Sequence, residues 1–405
     1  MIVLSGADLV LADRVQSPGT LIIDDDRVVE VLHGTRPAST GITHFDLHGH
    51  YIVPGLIDVH VHGVEGSDTL DGRGGVREMA SRLPRFGVTA FCPTSIACAP
   101  HALAAFLASV RELRLQRELS GARVLLAHLE SNFINPEYRG AQPAQCLRRP
   151  PSSSVTGVVS DREPRDQSYT AEDLLTEIDY ARSDVGIVTL APELDGALPL
   201  IDRFIASGHR VSLGHSAATF EQGMAGIARG ARSATHLFNR MPPFTHRDPG
   251  LAGAVLASDE VAAELICDGH HVHPAALQIA IAAKHPERVM AITDATAGAG
   301  LAVGARAALG GRPITVRHAG AYLDDGTLAG SVLTMDQAFS LLVGRVGLSL
   351  PDAVTMCATT PARELGLHGL GVIAAGALAD LTVFDRNLTV AQTYVGGRLV
   401  YQRQP

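Results

Sequence analysis

Short apolar runs punctuated by turn residues recur along the whole chain, and through the middle of it most are followed by a stretch with apolar residues at helical spacing. The runs are YIVPGLIDVHVH, VTAFCPTSI, RVLLAHLES, GIVTLAPE, RVSLGHS, SATHLFN, AAELICDGHHV and RVMAITDA. Strand and helix in alternation predict parallel strands joined by crossovers, and eight such units predict an α/β fold of the TIM type, a (β/α)8 barrel. HALAAFLASVRELRLQREL and AEDLLTEIDYARS supply two of the helices, with apolar faces suited to packing. The two ends read differently. GTLIIDDDRVVEVLHG alternates β-like runs around an acidic turn, and VIAAGALADLTVFDRNLTVAQTYVGGRLVYQ does so around Gly396-Gly397. Residues 1–52 and 372–405 are therefore expected to fold together as a small β-sandwich module, interrupted by the barrel at 53–371. The longest connection, Ser131 to Asp173, contains the polar, aperiodic PPSSSVTGVVSDREPRDQ, expected to be a flap or a partly disordered insertion.

Composition narrows the function classes. The chain has 405 residues, 46% hydrophobic and 19% charged, which suits one large, well-filled barrel plus a smaller module. A formal net charge of -9 argues against non-specific nucleic-acid binding. The start, MIVLSGADLVLADRV, lacks the basic and long apolar regions of a signal peptide, and no apolar run approaches the ~20 residues of a membrane span. Neither nucleic acid nor membrane is expected as a partner, and the cytoplasm is the default location. Cys92, Cys98, Cys146, Cys267 and Cys357 show no Cys-x-x-Cys spacing and read as reduced thiols. Lys284 is the only lysine.

Catalytic residues of a barrel project from the C-terminal ends of its strands, so polar groups should end these runs. The first ends in His60 and His62, the third in His128 and Glu130, the fifth in His215 and the sixth in His236. The seventh ends in Asp268 with His270 and His271, and the eighth in Asp294. Imidazole and carboxylate groups at one end of so many strands point to a metal-centred site. Glu130, His215 and His236 would supply three ligands and leave an open position for water, which a divalent ion acidifies while polarising a carbonyl. Asp294 is the natural general base, returning the proton to a leaving amine. The reaction class is hydrolysis of an amide or related C–N bond. Zinc is the favoured ion, with iron, manganese and cobalt left open by ligand type. The residues alone leave His60 and His62 as a further ligand pair or as hydrogen-bonded barrel histidines.

PGLIDVHVHG, HLES, GHS, THLFN followed by MPP, the HRDPG loop, CDGHHV, ITDA and DGTLAGSVLTMDQA resemble the successive motifs of the N-acetylglucosamine-6-phosphate deacetylases of the amidohydrolase superfamily. The likeness continues through ATTPARELGL and GALADLTVFD and so covers nearly the whole chain. It implies hydrolysis of N-acetylglucosamine 6-phosphate to glucosamine 6-phosphate and acetate. It assigns the principal metal to Glu130, His215 and His236, with Asp294 as acid/base. His60 and His62 would hold a second metal, Glu130 bridging and Asp294 close by, giving one or two divalent ions per chain. Many amidohydrolases bridge two metals with a carboxylated lysine on the fourth strand; Lys284 precedes the eighth and cannot serve. By the same resemblance, backbone amides after Asn239, the side chain of His271 and Arg247 bind the sugar phosphate. Arg247 would reach across the interface of a homodimer, though on sequence alone it reads equally as a solvated loop charge. His270 is a spectator.

Four departures bear on the substrate. Ser131-Asn132 stands where the family usually has Gly-Pro, and Gln142 replaces a histidine that helps hold the substrate carbonyl. Arg240 replaces a small residue, and residues 148–170 form an insertion. Two further readings stay open: an amidohydrolase acting on another N-acyl or cyclic-amide substrate, and a catalytically weak sugar-phosphate-binding homologue.

Overall fold

Gly55 divides the first apolar run between two bodies. In this computed structural model, which describes residues 1–116, 121–151 and 168–404, YIVPGLIDVHVH is not one strand. His50–Pro54 pairs antiparallel with Leu381–Asp385, and Leu56–Val61 begins the barrel. A Cβ on Gly55 would come within 2.1 Å of the Thr89 hydroxyl, so only glycine passes between the bodies here. Alternation alone could not reveal the break, because both halves are apolar.

The remaining barrel strands fall on the predicted runs: Val88–Ser95, Ala127–Leu129, Val185–Leu190, Arg210–Leu213, Ser233–Ala234, Ala262–Ile266 and Val289–Ile292. They pair in parallel and in chain order from the first to the eighth. The ring is closed by the backbone N–H of Asp294 donating to the His60 carbonyl at 2.9 Å and that of His62 to the Ala295 carbonyl at 2.8 Å. Strands such as Ala262–Ile266 are buried along their full length, as expected where helices cover a parallel sheet.

The helices carry legible start signals. Pro100–Arg114 opens with proline and buries Leu103, Phe106, Leu107, Val110 and Leu113, a helical stripe against the barrel. Ala171–Tyr180 and Phe220–Ala228 begin with capping boxes, Thr170 with Asp173 and Thr219 with Gln222.

The chain ends share one eight-stranded sheet, in which Ile2–Val10, Val15–Asp24, Arg27–His33, Thr43–Asp46 and His50–Pro54 join Leu381–Asp385, Val390–Val395 and Arg398–Gln402. The sheet bends over its own core of Leu4, Leu21, Ile23, Ile52, Val383 and Tyr394. Phe45 meets Tyr394 edge-on across that interior at 6.3 Å.

A second, smaller sheet has no counterpart among the predicted elements. Arg306–Leu309, Arg312–Arg317 and Gly320–Leu323 form an antiparallel meander after the eighth barrel strand, packing Leu309, Ile314 and Ala321 on Ile96. Its first turn is Gly310-Gly311, both at positive φ, a two-residue hairpin signal between apolar runs. Residues 152–167 of the expected flap lie outside the described residues.

Candidate metal centre and active site

Three site residues leave their strands with backbones in the left-handed region: His215 at φ 48°, His236 at φ 32° and Asp294 at φ 47°. Such conformations are costly for residues with a side chain and persist where the surroundings hold them. Here they end the fifth, sixth and eighth ladders and turn three side chains toward one point. Gly330, at φ 119°, lets the DGTLAGS segment pass close by; a Cβ there would lie 3.0 Å from the Asp294 carbonyl. Ser331 then donates its N–H to that carbonyl at 2.9 Å and its hydroxyl to the Thr293 carbonyl at 2.6 Å, fixing the eighth strand's end.

Glu130 stands at the centre. Its Oε1 lies 2.7 Å from Nε2 of His215 and 2.9 Å from Nε2 of His236, and its Oε2 lies 3.3 Å from Nε2 of His62. Nε2 of His62 is also 3.3 Å from Oδ1 of Asp294. These atoms form two groups that could each hold a cation, Glu130 with His215 and His236, and Glu130 with His60 and His62, so that Glu130 belongs to both.

The donor set fits a metal. His62 donates through Nδ1 to the Thr94 carbonyl at 3.1 Å and His215 through Nδ1 to the Tyr138 carbonyl at 2.8 Å. A carbonyl only accepts, so each neutral ring turns a lone pair inward at Nε2. Those inward nitrogens lie 3.2 Å from Nε2 of His60 and 3.1 Å from Nε2 of His236, respectively. Nitrogens so close around a buried carboxylate call for a proton or a cation between them. The protein alone meets this demand by titration. Burial disfavours charge on His62, but Asp294 and Glu130 outweigh it and push its pKa up to about 10. Burial opposes ionisation of Glu130, yet His215, His236 and His62 hold its carboxyl well below the usual range. A divalent cation satisfies the same demand at neutral pH.

The centre forms the floor of a cavity of about 460 Å³, a size suited to a small-molecule ligand. Of the residues predicted for the site, all but His60 and Arg247 border it. His60 is fully buried behind its wall. His271 is oriented by Asp268, whose Oδ2 lies 2.6 Å from Nδ1, leaving Nε2 free for a ligand. His270 is exposed and outside the cavity. Arg240, at φ 53°, donates to the Leu328 carbonyl at 3.1 Å and packs on Gly140, where a Cβ would meet its Nε at 2.5 Å. Arg247 is exposed beside a separate surface hollow of about 740 Å³, bordered also by Pro242, Pro243 and Thr219.

Gln142 takes a position that the sequence did not reveal. Its side-chain oxygen accepts the Ala97 N–H at 2.7 Å and its amide donates to Oε2 of Glu130, so it faces the central carboxylate as well as the cavity. Ser131 and Asn132 point elsewhere. Asn132 donates to the carbonyls of Cys98 at 2.8 Å and Cys146 at 2.7 Å, and Ser131 to that of Thr189 at 2.5 Å, tying the loop that carries Gln142 to the third strand.

Sequence reasoning also missed two carboxylates beneath the centre. Asp58 accepts the Thr293 hydroxyl at 2.6 Å, and Glu264 has Oε2 3.0 Å from Nδ1 of His60. A single acidic residue inside an otherwise apolar strand run, as in LIDVHV and AAELIC, is the signal that marks each.

Imidazoles and carboxylates converging at the C-terminal mouth of a (β/α)8 barrel define a hydrolase of the barrel type. Residues 51–400 match the amidohydrolase family. The chain belongs to the N-acetylglucosamine-6-phosphate deacetylase family of the amidohydrolases. The N-acetylglucosamine-6-phosphate deacetylase of Danio rerio is 38% identical over 371 residues, 88% of this chain and 86% of that protein. The N-acetylgalactosamine-6-phosphate deacetylase of Escherichia coli O157:H7 is 32% identical, over 93% of this chain and 95% of its own. A solved mutant of the N-acetyl-D-glucosamine-6-phosphate deacetylase from Mycobacterium smegmatis, in complex with N-acetyl-D-glucosamine-6-phosphate, superposes with a TM-score of 0.87 at 31% identity and covers 99% of both chains.

Proposed function

We propose that this protein hydrolyses the N-acetyl amide of an amino-sugar 6-phosphate, N-acetylglucosamine 6-phosphate first among them, to the free amine and acetate. The observation that carries the reading is Asp294 with Oδ1 3.3 Å from His62, beside Glu130 and its histidines, on the floor of a cavity walled by Arg240 and His271. In this reading the hydrolase unit begins after Gly55, not at residue 53, and runs to residue 371, while residues 1–54 with 372–405 form the module.

Glu130, His215 and His236 would hold one divalent ion and His60, His62 and Glu130 a second, zinc being our first choice among the ions that imidazole and carboxylate donors accept equally. A bound divalent ion supplies Lewis acidity toward the acyl oxygen and toward water. Asp294 takes a proton from the attacking water at Oδ1 and delivers it to the sugar nitrogen as the C–N bond breaks. Gln142 has two amide hydrogens; with one on Glu130, the second is available to the acyl oxygen. His271 and the backbone amides after Asn239 bind the sugar phosphate, with Arg240 in the wall beside them. In a homodimer, Arg247 adds a contact from the neighbouring subunit. Arg247→Ala should raise KM for the phosphorylated substrate while leaving the dimer intact by light scattering; an unchanged KM removes it from the site.

No helix among the described residues is long and apolar enough to cross a membrane. A charged sugar phosphate does not cross a bilayer unaided, so we assign enzyme and substrate together to the cytoplasm.

The test is acetate release from N-acetylglucosamine and N-acetylgalactosamine, each with and without a 6-phosphate, alongside N-acyl amino acids. Fastest release from N-acetylglucosamine 6-phosphate supports the reading. Arg240 favours a second one, an N-acyl substrate bearing another negative charge, and turnover only of such a compound would replace the first. Binding of the sugar phosphate without turnover would leave a binding homologue.

A further inference from the structure

Glu264 is the residue that the proposed reaction does not use. It sits in the middle of Ala262–Ile266, an otherwise apolar strand, and is fully buried. Its Oε1 has no hydrogen-bond partner among the described residues. A buried carboxyl group with one oxygen left unpartnered is a cost to the fold, so its place calls for a compensating role.

Its other oxygen has two neighbours, both belonging to the metal centre. Oε2 lies 3.0 Å from Nδ1 of His60 and 3.4 Å from the backbone N–H of His236. The candidate ligands differ in what stands behind them. His62 and His215 are held by the carbonyls of Thr94 and Tyr138, and Nδ1 of His236 has no partner. Only His60 is backed by a carboxylate. His128, whose ring centroid is 4.6 Å from that of His60, is engaged with the Val59 carbonyl and the Thr189 hydroxyl and makes no hydrogen bond to His60, although its ligand atoms lie close to those of His60 and Glu264.

We propose that Glu264 is a positioning residue for the second cation site, holding His60 with its proton on Nδ1 and its lone pair on Nε2 directed at the space shared with His62 and Glu130. A carboxylate behind a ligating imidazole fixes its tautomer and ring orientation and strengthens it as a donor. The site formed by His60 and His62 depends on this support more than its neighbour does, because Oε1 of Glu130 lies 3.7 Å from His60 but 2.7 Å from His215. Glu264 does not line the cavity. The inference rests on the two-ion reading above.

Glu264→Gln keeps shape and one acceptor, whereas Glu264→Leu keeps volume alone. Each is purified beside the wild-type protein without chelator and loaded with Zn²⁺. Bound zinc is then measured by elemental analysis across a graded series of chelator concentrations. The wild type is expected to hold two ions that leave in two steps. In Glu264→Gln the weaker step should move to about 10- to 100-fold lower chelator, with the tighter step unchanged. Glu264→Leu should lose the weaker ion outright. If Glu264 merely fills space, both variants keep two ions with wild-type retention whatever happens to Tm, and the proposal falls. It falls equally if the wild type holds a single ion. Should Glu264→Leu fail to fold, the isosteric Gln variant decides alone. Acetate release is not read here, so failure of the deacetylase reading would leave this result intact.

Discussion

The backbone N–H of Asp294 donates to the carbonyl oxygen of His60 at 2.9 Å, and the side chains of the same two residues face each other at 3.5 Å. One contact closes the barrel and the other belongs to the site, so the general base proposed here is held by the fold's own seam. Asp294→Asn preserves the backbone, since asparagine tolerates the left-handed conformation that position requires. It removes the proton acceptor. Turnover should fall by about 10³-fold or more with metal content and Tm close to wild type. Activity within a factor of a few of the wild type would exclude Asp294 as the proton carrier.

Chelation should weaken the whole barrel. With a cation removed, Nε2 of His60 and His62 at 3.2 Å and Nε2 of His215 and His236 at 3.1 Å lose the charge that would hold them together. A ligand present at a thousand times its Kd stabilises the folded state by about 4 kcal/mol, so dialysis against a strong chelator should lower Tm by several degrees, and zinc should restore it. Identical melting curves with and without chelator would argue against a resident ion.

Much of this was legible before the fold was known, for physical reasons that can be named. A parallel barrel buries both faces of its strands, which prints apolar runs into the chain, and its chemistry gathers where those runs end. That pattern singles out His60, His62, Glu130, His215, His236 and Asp294 as candidates, and the structure brings their side chains together. The break at Gly55 was hidden because a strand of the module and a strand of the barrel are equally apolar and adjoin. Glu264 was hidden because one acidic residue in a strand does not say which way it faces. Where Ser131 and Asn132 point is not legible in the sequence, since a residue beside a candidate ligand can face away from it in space; both bond to neighbouring loops and strands.

Lys284 gives the fold a distinct pH dependence. Its ammonium donates to the carbonyls of Val255 and Ser258 at the end of helix Gly250–Ala257. Burial lowers its pKa to about 8, with Arg288 adding to the shift and Asp259 and Glu364 opposing it. Between about 8 and its unfolded value near 10.4, the unfolded chain holds a proton that the folded chain has released. Stability from this group therefore rises with pH across that window and is flat below it. The unfolding free energy of the wild type relative to Lys284→Met should rise by about 2 kcal/mol between pH 7.5 and pH 9.5, as read from denaturant titrations. A gap between the two proteins that does not change with pH would show that Lys284 titrates normally in the fold.

Gln142 and Arg240 are where the wall of the cavity departs from the family's usual residues, and the structure separates their effects. Gln142 is pinned at both ends, by the Ala97 N–H and by Glu130, and can spare one neutral donor for the acyl oxygen. A charged donor there would be roughly twice as strong, and loss of one such contact costs about 10²-fold in turnover. Arg240 adds a fixed positive charge and fills space over Gly140. Slow turnover of N-acetylglucosamine 6-phosphate is therefore expected of the wild type. Gln142→His should raise kcat, and adding Arg240→Ala should act on KM by changing how the sugar phosphate sits. If the double variant is no faster on that substrate than the starting protein, these two positions do not set its preference. The Ser131-Asn132 pair would then be examined for its effect on the loop it anchors, since neither side chain reaches the cavity.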